Sequence, residues 1–426
     1  MIERKILKKI KNYYFTKEIV VLVGSRQVWK STILHKIEKE LVKNNYWIFL
    51  DADFDSELLL LENSKELLDL LELNWFQKNK KEKFFVFIDE FQKIKNIWTI
   101  IKWLYDRFEN LKFFLSGSSS ILINKAFWDS MMWRKVVFYI EKLDFEEFLL
   151  FKKEEKLLKI YKNIKFAQNF SLYKDSFEKL IEEFITFWWY PQVVLWKNSD
   201  YKIKKLDEIV SSYIKKDILY FFNAEHSSNI IKLLKYLTQI NTNLLKKNAI
   251  SNDLGISDYN LWKYLSVLIE TFFVNLVEPF YTNKIKSISK TQELFFSDTW
   301  TYNSILKNFW ELDLRIDKWI LIENFVYNEL HKTKDILDEI LFYRDKNLLE
   351  VDFVIKSWEN NLLPIEVKSW NFKKIPANLV NFSKKYWIKK AVLINKGEFK
   401  QEKKWDLEVY FIPYFLTGKI FEYFKN

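Results

Sequence analysis

A chain of 426 residues is long enough for two or three domains, each with its own hydrophobic core. Its 49% hydrophobic and 29% charged residues exclude a disordered or collagen-like chain, and the absence of cysteine excludes a disulfide scaffold, a cysteine-ligated zinc site and a thiol nucleophile. The 68 basic and 57 acidic residues give a net charge of +11, which is compatible with nucleic acid or acidic partners but does not choose between them.

No apolar run approaches the roughly 20 residues that a membrane helix needs, and the basic N-terminus lacks the apolar core of a signal peptide. We therefore expect a soluble, cytoplasmic protein that does not act at a membrane. The three histidines make a histidine-rich metal site a poor expectation.

Glycine and tryptophan occur in abnormal numbers. The chain has 5 glycines in 426 residues, although roughly 7% is usual. It has 18 tryptophans, and the two residue types together approach an ordinary glycine content. This balance suggests that many tryptophans stand where a folded chain requires glycine.

The first predicted element is an apolar, β-branched strand over residues 19–24. The next residues follow the phosphate-loop pattern GxxxxGK[ST] at every fixed position except the second glycine, which is Trp29. This segment reads Gly24-Ser25-Arg26-Gln27-Val28-Trp29-Lys30-Ser31. Residues 32–41 then show helical spacing of apolar residues, so the order of strand, loop and helix suits a phosphate site.

A phosphate loop binds nucleotide through backbone N–H groups, and its backbone must approach the phosphates closely. Lys30 would neutralise charge on the β- and γ-phosphates, and the Ser31 hydroxyl would bind Mg²⁺. Because an indole at position 29 should collide with the nucleotide, three interpretations remain open. In the first, Trp29 is genuine and the protein has lost nucleotide binding. In the second, the motif is a coincidence. In the third, the residue is glycine in the cell because UGA encodes glycine there.

A second predicted strand over residues 84–88 ends in Asp89 and Glu90. This is the Walker B pattern, in which Asp89 would hold Mg²⁺ through water and Glu90 would polarise the attacking water. A third strand, over residues 112–115, leads into Ser116-Gly117-Ser118-Ser119, where Ser118 is a candidate sensor of the γ-phosphate. An ordinary serine-rich turn is the alternative for this segment.

These motifs together resemble those of prokaryotic AAA-type ATPases described only as ATP-binding proteins, with a nuclease-like C-terminal domain of unknown function. The resemblance implies ATP and Mg²⁺ as cofactors, with catalytic roles for Lys30, Glu90 and Ser118 and metal ligation by Ser31 and Asp89. The implied nucleotide-binding residues are Gly24, Ser25, Arg26, Gln27, Val28, Trp29, Lys30, Ser31 and Thr32. The family's Leu-x-Gly-Arg motif is present as Met132-Trp133-Arg134, and Arg134 is either a charge-stabilising arginine or part of a salt bridge.

The middle of the chain is predicted to be helical over residues 150–185. Trp188 and Trp189 precede Tyr190-Pro191 where the family carries Gly-Gly, and residues 228–275 resemble a winged helix whose second helix covers 258–270. This helix offers mainly Asp258, Asn260 and Lys263, so we favour a packing or partner role over the reading of DNA bases.

The C-terminal part carries a pattern of metal-dependent nucleases. Asp352 lies on one predicted strand, and Glu366 and Lys368 lie on the next, as in the PD-(D/E)xK motif. Strand alternation places Glu366 and Lys368 on one face, where Asp352 and Glu366 would share Mg²⁺ and Lys368 would orient water. Glu323, on the preceding helix, is a further candidate, and a solvated cross-strand Glu–Lys pair is the alternative.

Several tryptophans stand where the resemblance expects glycine. These are Trp29, Trp133, Trp188, Trp189, Trp300, Trp319 and Trp370, while Trp358 and Trp387 lie in predicted turns. Trp98 has the character of a true tryptophan. A chain with indoles at all these positions would lose several turns that need a positive φ.

We therefore expect an α/β protein of three parts. Residues 1–150 would form an AAA-type core with the parallel sheet of a P-loop NTPase. Residues 151–285 would form a helical lid and a winged-helix-like region, and residues 286–426 a restriction-endonuclease-like α/β domain. The favoured function is ATP hydrolysis coupled to the C-terminal domain, acting on nucleic acid or a partner protein. The alternatives are an ATP-gated, Mg²⁺-dependent nuclease and, if Trp29 is genuine, a non-hydrolysing scaffold. The sequence does not indicate the oligomeric state.

Overall fold

The computed structural model describes residues 2–53, 63–117, 131, 133–165, 171–187, 190–196, 198–219, 222, 224–283, 290–346, 349–397 and 399–424. Within it the chain divides into two compact units, Met1–Lys142 and Leu143–Asn426. Each unit has its own sheet and its own core.

The first unit alternates strands and helices. Its strands are β1 (Ile19–Val23), β2 (Tyr46–Asp51), β3 (Phe84–Asp89), β4 (Leu111–Gly117) and β5 (Lys135–Tyr139). Its helices are α1 (Ile6–Lys11), α2 (Lys30–Leu41), α3 (Ser64–Leu73) and α4 (Ile97–Arg107), with 3₁₀ turns at Val42–Asn44 and Phe91–Lys93.

These strands form a parallel sheet in the order β2-β3-β4-β1-β5. Every residue of β1, β3 and β4 is buried, as expected for central strands that are covered on both faces. The carboxyl ends of parallel strands meet at one edge, which is where ligands bind in such sheets. This arrangement places the residues after β1, β3 and β4 next to one another.

The second unit begins with helices that match the helical pattern of the middle region. They are α5 (Phe145–Phe151), α6 (Glu155–Asn163), α7 (Lys174–Phe187), α8 (Pro191–Val194), α9 (Ser199–Tyr213) and α10 (Ala224–Gln239), with a 3₁₀ turn at Ser171–Tyr173 and a π-helical turn at Ile214–Ile218. Asp144 caps α5 by accepting a hydrogen bond from the Glu147 amide at 2.7 Å.

A helix pair and a small antiparallel sheet follow. The elements are β6 (Asn243–Leu244), α11 (Lys247–Leu254), α12 (Asp258–Glu270), β7 (Val274–Val277) and β8 (Glu293–Phe296). Gly255 ends α11 at φ +62°, and Ser257 caps α12, so the predicted helix over 258–270 is present. The sheet order is β6-β8-β7.

The C-terminal part is a mixed α/β structure. Its helices are α13 (Thr299–Leu306), α14 (Lys318–Thr333), α15 (Ala377–Tyr386) and α16 (Ile420–Phe424), and its strands are β9 (Glu339–Arg344), β10 (Glu350–Lys356), β11 (Leu362–Val367), β12 (Lys390–Asn395), β13 (Lys400–Lys404) and β14 (Leu407–Pro413). Leu312–Leu314 and Tyr414–Lys419 are 3₁₀ turns. The strand order is β13-β14-β12-β11-β10-β9, with parallel pairing from β11 through β12 to β14.

Helices in the described ranges do not include one that is long and apolar enough to cross a membrane.

Candidate functional site

The phosphate-loop residues lie between the buried end of β1 and the start of α2. Ser25, Val28 and Lys30 are buried, and Ser31 and Thr32 lie in the first turn of α2, where free backbone N–H groups attract anions. The Lys30 Nζ donates hydrogen bonds to the carbonyl oxygens of Gly24 at 3.0 Å and Ser25 at 2.6 Å. The lysine ammonium is therefore held over the loop.

The loop backbone is tightly constrained at two positions. A Cβ on Gly24 would lie 2.4 Å from the Ile140 carbonyl oxygen, so a side chain is excluded there. Trp29, which immediately precedes α2, has φ +73° and ψ 31°, in the left-handed region that favours glycine. The position that departs from the motif thus has the backbone conformation of the glycine that the motif expects.

Arg4 supports this loop and was not predicted from the sequence. Its guanidinium is buried and donates to the Val28 carbonyl at 2.9 Å and to the Glu141 carbonyl at 2.7 Å. It thereby ties the phosphate loop to the residues after β5. A lone arginine near the N-terminus carries no local signal for this role.

The two candidate carboxylates lie at the end of β3, where Asp89 is the last residue of the strand and Glu90 follows it. Asp89 is buried and accepts a hydrogen bond from the Ser116 hydroxyl at the end of β4, which lies between β1 and β3. Glu90 adopts φ +50°, and its carboxylate accepts a hydrogen bond from the Gln92 amide at 2.5 Å. Ser116 is a residue that the sequence analysis did not select, and the selected Ser118 lies outside the described residues.

Arg134 forms an ion pair with Asp106, with 3.1 Å between Nε and Oδ1. This contact corresponds to the salt-bridge alternative considered for that residue.

The tryptophans at expected glycine positions fall into separate groups. Trp29, Trp133 and Trp387 have positive φ. Trp300 and Trp319 lie in α13 and α14, and Trp358 and Trp370 lack a positive φ, so the expected steric conflict does not arise at these four positions. Trp188 and Trp189 lie outside the described residues.

The structure brings together the second set of candidates. Asp352 on β10 accepts a hydrogen bond from the Val367 amide at 2.7 Å, and Lys368 donates to Glu366 Oε1 at 2.6 Å. The other carboxylate oxygen of Glu366 is buried without a hydrogen-bond partner. A buried carboxylate oxygen without a hydrogen-bond partner is costly to the fold.

Glu323 faces the same pocket, which has a volume of about 490 Å³. Burial and the Asp352 carboxylate raise the pKa of Glu323, and burial and the Glu366 carboxylate raise the pKa of Asp352. Burial also raises the pKa of Glu366 against the opposing effect of Lys368. Burial lowers the pKa of Lys368, but Glu366 and the other carboxylates outweigh it, so the net shift is upward.

Further residues complete this pocket and were not predicted from the sequence. Thr242, Asn243, Arg344, Glu350 and Asn378 also line it. Arg344 pairs with Glu350, and Thr242 has φ +61° although it is β-branched. Four lining carboxylates and two cations leave a formal charge of −2. No three of the described acidic or imidazole side chains are arranged to hold a metal ion, so a cation here would take at most two of these carboxylates together with water.

Two of the three polar residues that α12 offers, Asp258 and Lys263, contact other parts of the fold. Asp258 accepts a hydrogen bond from the Ser251 hydroxyl at 2.6 Å, and Lys263 lies over the Phe222 ring at 5.6 Å. These contacts agree with the packing role favoured for this helix.

Comparison with known proteins gives three matches to family models, each over a part of the chain. Residues 16–149 match the model of an AAA domain. Residues 178–311 and 320–415 match two domains of unknown function, DUF8612 and DUF4143. The parallel sheet with its helices fits the P-loop NTPase fold.

An uncharacterized protein of Methanocaldococcus jannaschii is 27% identical over 358 residues, covering 82% of this chain and 74% of that protein. Among solved structures, the Holliday junction branch migration motor RuvB of Thermotoga maritima is 12% identical, with a TM-score of 0.32 over 64% of this chain and 89% of its own. The Aeropyrum pernix Orc1 protein in complex with DNA is 8% identical, with a TM-score of 0.33 over 72% and 93%. TM-scores this low carry no weight for function.

Proposed function

We propose that this protein binds ATP with Mg²⁺ in its first unit and hydrolyses it. Lys30 would neutralise the β- and γ-phosphates, and the backbone N–H groups from Gly24 to Thr32 would hold them. Ser31 and Asp89 would hold the metal, and Glu90 would orient the attacking water. The match of residues 16–149 to an AAA domain supports this assignment.

One observation carries the proposal. Lys30 is held over the phosphate loop at the start of α2, and the buried Asp89 is bonded to Ser116 on the strand between β1 and β3. A cation, a hydroxyl and a carboxylate thus follow the strands at one edge of a parallel sheet. Hard oxygen donors of this kind are the ligands that Mg²⁺ prefers, so the residues present fit the ion.

The chemistry assigned to this chain is positioning and charge stabilisation. Lys30 already donates to two loop carbonyls, and an arriving phosphate would offer it stronger, charge-assisted hydrogen bonds. Mg²⁺ would supply charge neutralisation on the phosphate oxygens. The Gln92 amide donates a hydrogen bond to the Glu90 carboxylate. This contact restricts the orientations in which the carboxylate would accept a proton from the attacking water.

Mutation of the two roles separately tests the proposal in a chain that carries W29G, so that residue 29 does not itself obstruct ATP. The W29G chain is the unchanged chain of this comparison. K30A should abolish ATP binding, whereas E90Q should retain binding and slow hydrolysis by roughly 10²-fold or more, the usual contribution of a general base. E72Q, which alters an exposed ion pair with Lys78, is the control and should leave both unchanged. Equal hydrolysis by E90Q and the unchanged chain would refute the role of Glu90, and ATP binding by K30A would refute the site.

A second candidate function is supported by the acidic pocket. Its unpartnered, buried Glu366 oxygen and the adjacent Lys368 are suited to a divalent cation and a polarised water, as in metal-dependent cleavage of nucleic acid. On this proposal the C-terminal domain is restriction-endonuclease-like, and ATP turnover controls it. The three-domain division at residues 150 and 285 belongs to the same proposal.

Cleavage of supercoiled plasmid in Mg²⁺ tests the second candidate. E366Q should abolish cleavage without changing ATP hydrolysis, and E359Q, at an exposed turn of the same sheet, should change neither. Loss of ATP hydrolysis with intact cleavage in E90Q would show that the two sites act independently, and absence of cleavage by the unchanged chain would reject a nuclease.

A further inference from the structure

The described residues include 13 non-glycine positions with positive φ. Tryptophan supplies 5 of these, at residues 29, 75, 133, 387 and 405, although it makes up only 18 of 426 residues. Left-handed backbone is uncommon for non-glycine residues and is enriched in Asn and Asp, not in tryptophan. A bulky aromatic residue has no intrinsic reason to collect at such positions.

We propose that the five left-handed tryptophans are glycines in the working protein, each encoded by UGA. This inference deepens the proposed function and rests on it at position 29, where glycine would complete the phosphate loop. At Trp75 and Trp405 no family motif suggested glycine, so the backbone alone identifies them. The observation is independent of the composition that first raised the idea.

Four of these five side chains are mainly exposed, and of these Trp405 also has the Lys384 ammonium over its ring at 3.6 Å, a contact that its removal would lose. Trp133 is 93% exposed and Trp387 is 91% exposed, and Trp75 and Trp405 are also mainly in solvent. Trp387 ends α15 and Trp405 lies in the turn between β13 and β14, which are usual places for glycine. Removal of these indoles therefore costs little packing and relieves backbone strain.

Trp98 provides the contrast. It lies in the right-handed backbone of α4, is buried, and packs edge-on against Phe91 with 4.9 Å between ring centroids. It has the surroundings of a true core tryptophan. We assign it to UGG and expect it to remain tryptophan in the cell.

Peptide mass spectrometry of the protein from its native cells tests the inference. Peptides that span residues 75, 387 and 405 should be lighter by the mass difference between tryptophan and glycine, whereas the peptide with Trp98 should keep the tryptophan mass. Tryptophan mass at residue 75 or 405 would overturn the inference. Glycine at residue 29 in a protein that fails to bind ATP would uphold the inference and reject the proposed function.

A recombinant chain gives a second measurement. W387G and W405G should each have a higher melting temperature than W387A and W405A, because Ala retains the Cβ that opposes a left-handed backbone. W98G should melt below W98A, since glycine weakens a helix interior. Equal melting temperatures of the glycine and alanine variants at residues 387 and 405, or higher ones for the alanine variants, would contradict the left-handed backbone and the inference with it.

Thr242 also has a left-handed backbone, which the replacement of glycine by tryptophan does not explain. We infer that Thr242 is a positioning residue for the acidic pocket. It is 6% exposed, its hydroxyl has no hydrogen-bond partner of standard geometry, and it lines the pocket beside Glu323. A β-branched residue at φ +61° is strained, and such strain is often retained at functional sites. The inference rests on the second candidate function.

Titration with Mg²⁺ alone tests this role in a chain that carries D89N, which removes a proposed metal ligand of the phosphate site. The D89N chain is the unchanged chain of this comparison. T242V, which keeps the shape and removes the hydroxyl, should weaken Mg²⁺ binding at least several-fold, and T242S should restore it. Equal binding by T242V and the unchanged chain would overturn the role of Thr242 alone. Absence of Mg²⁺ binding by the unchanged chain would reject both Thr242 and the pocket as a cation site.

Discussion

At the scale of single residues, the candidate phosphate site depends on buried polar contacts as well as on the motif. Arg4 places two hydrogen-bond donors on the carbonyls of Val28 and Glu141, and Lys30 places its ammonium on those of Gly24 and Ser25. Both side chains are buried, so the carbonyls that they satisfy have little access to water. The shape of the loop is therefore fixed from outside the motif.

Substitution of Arg4 should loosen this loop. R4M leaves the Val28 and Glu141 carbonyls without their donors, and an unsatisfied buried acceptor costs about 1–3 kcal/mol. We expect a loss of this size in the free energy of unfolding, measured in urea, and weaker ATP binding. K205M, which breaks an exposed pair with Glu208, should change stability by less than about 1 kcal/mol. Unchanged stability in R4M would show that the Arg4 contacts are incidental.

The sequence reveals some of these residues and not others for a physical reason. Lys30 lies in the loop pattern after an apolar strand, Asp89 ends an apolar strand and Glu366 lies in one, so local spacing is enough to find them. Arg4 contacts a residue 137 positions away in the chain, and Thr242 is distinguished by its backbone angle. Neither a long-range contact nor a φ value leaves a pattern in neighbouring residues.

At the scale of elements, β4 combines Ser116, which donates to Asp89, with a buried lysine. Lys112 is fully buried within this strand, and its Nζ donates to the Glu18 carbonyl. Burial lowers the pKa of Lys112 from 10.5 to about 7, which Glu18 only partly opposes. The folded chain thus favours the neutral amine, whereas the unfolded chain keeps it protonated up to higher pH.

The sign of the resulting pH dependence follows from proton binding. Between pH 7 and pH 10.5 the unfolded chain binds more protons at Lys112 than the folded chain, so stability should rise with pH in that window. K112M should remove this rise. At pH 7 the relief of the buried charge should be offset by loss of the donor to the Glu18 carbonyl, which costs about 1–3 kcal/mol. Urea unfolding at several pH values measures both effects. The exposed K102M variant should retain the slope, and a K112M chain with the slope intact would refute the assignment.

Strands β1, β3 and β4 of the first sheet and β10 and β11 of the C-terminal sheet could be predicted because they contain apolar runs. Strands β2, β5 and β12 to β14 were not predicted. The predicted strand over 112–115 is longer in the structure, Leu111–Gly117, because Leu111 and the polar but buried Ser116 also belong to it. The predicted helix over 32–41 begins at Lys30, since the motif residues themselves form its first turn. Polar residues at buried strand and helix ends are where the sequence pattern was least informative.

At the scale of the whole molecule, the chain passes from the first unit to the second between Lys142 and Leu143. The residues directly after this point are fixed to α14, because Lys332 donates to the Leu143 carbonyl at 2.8 Å and Glu329 accepts from the Phe145 amide at 3.2 Å. Both side chains are almost fully buried. The same helix carries Glu323, so one rigid element links the start of the second unit to the acidic pocket.

ATP binding by the full chain tests the central claim, which is that the backbone before Lys30 must be free of a side chain. Equilibrium binding of Mg²⁺-ATP should be compared for the chain with tryptophan at residue 29 verified by mass, for W29G and for W29G combined with K30A. We predict that W29G binds at least about tenfold more tightly than the tryptophan chain, equivalent to about 1.4 kcal/mol, and that K30A abolishes this gain. Equally tight binding by the verified tryptophan chain would contradict the account.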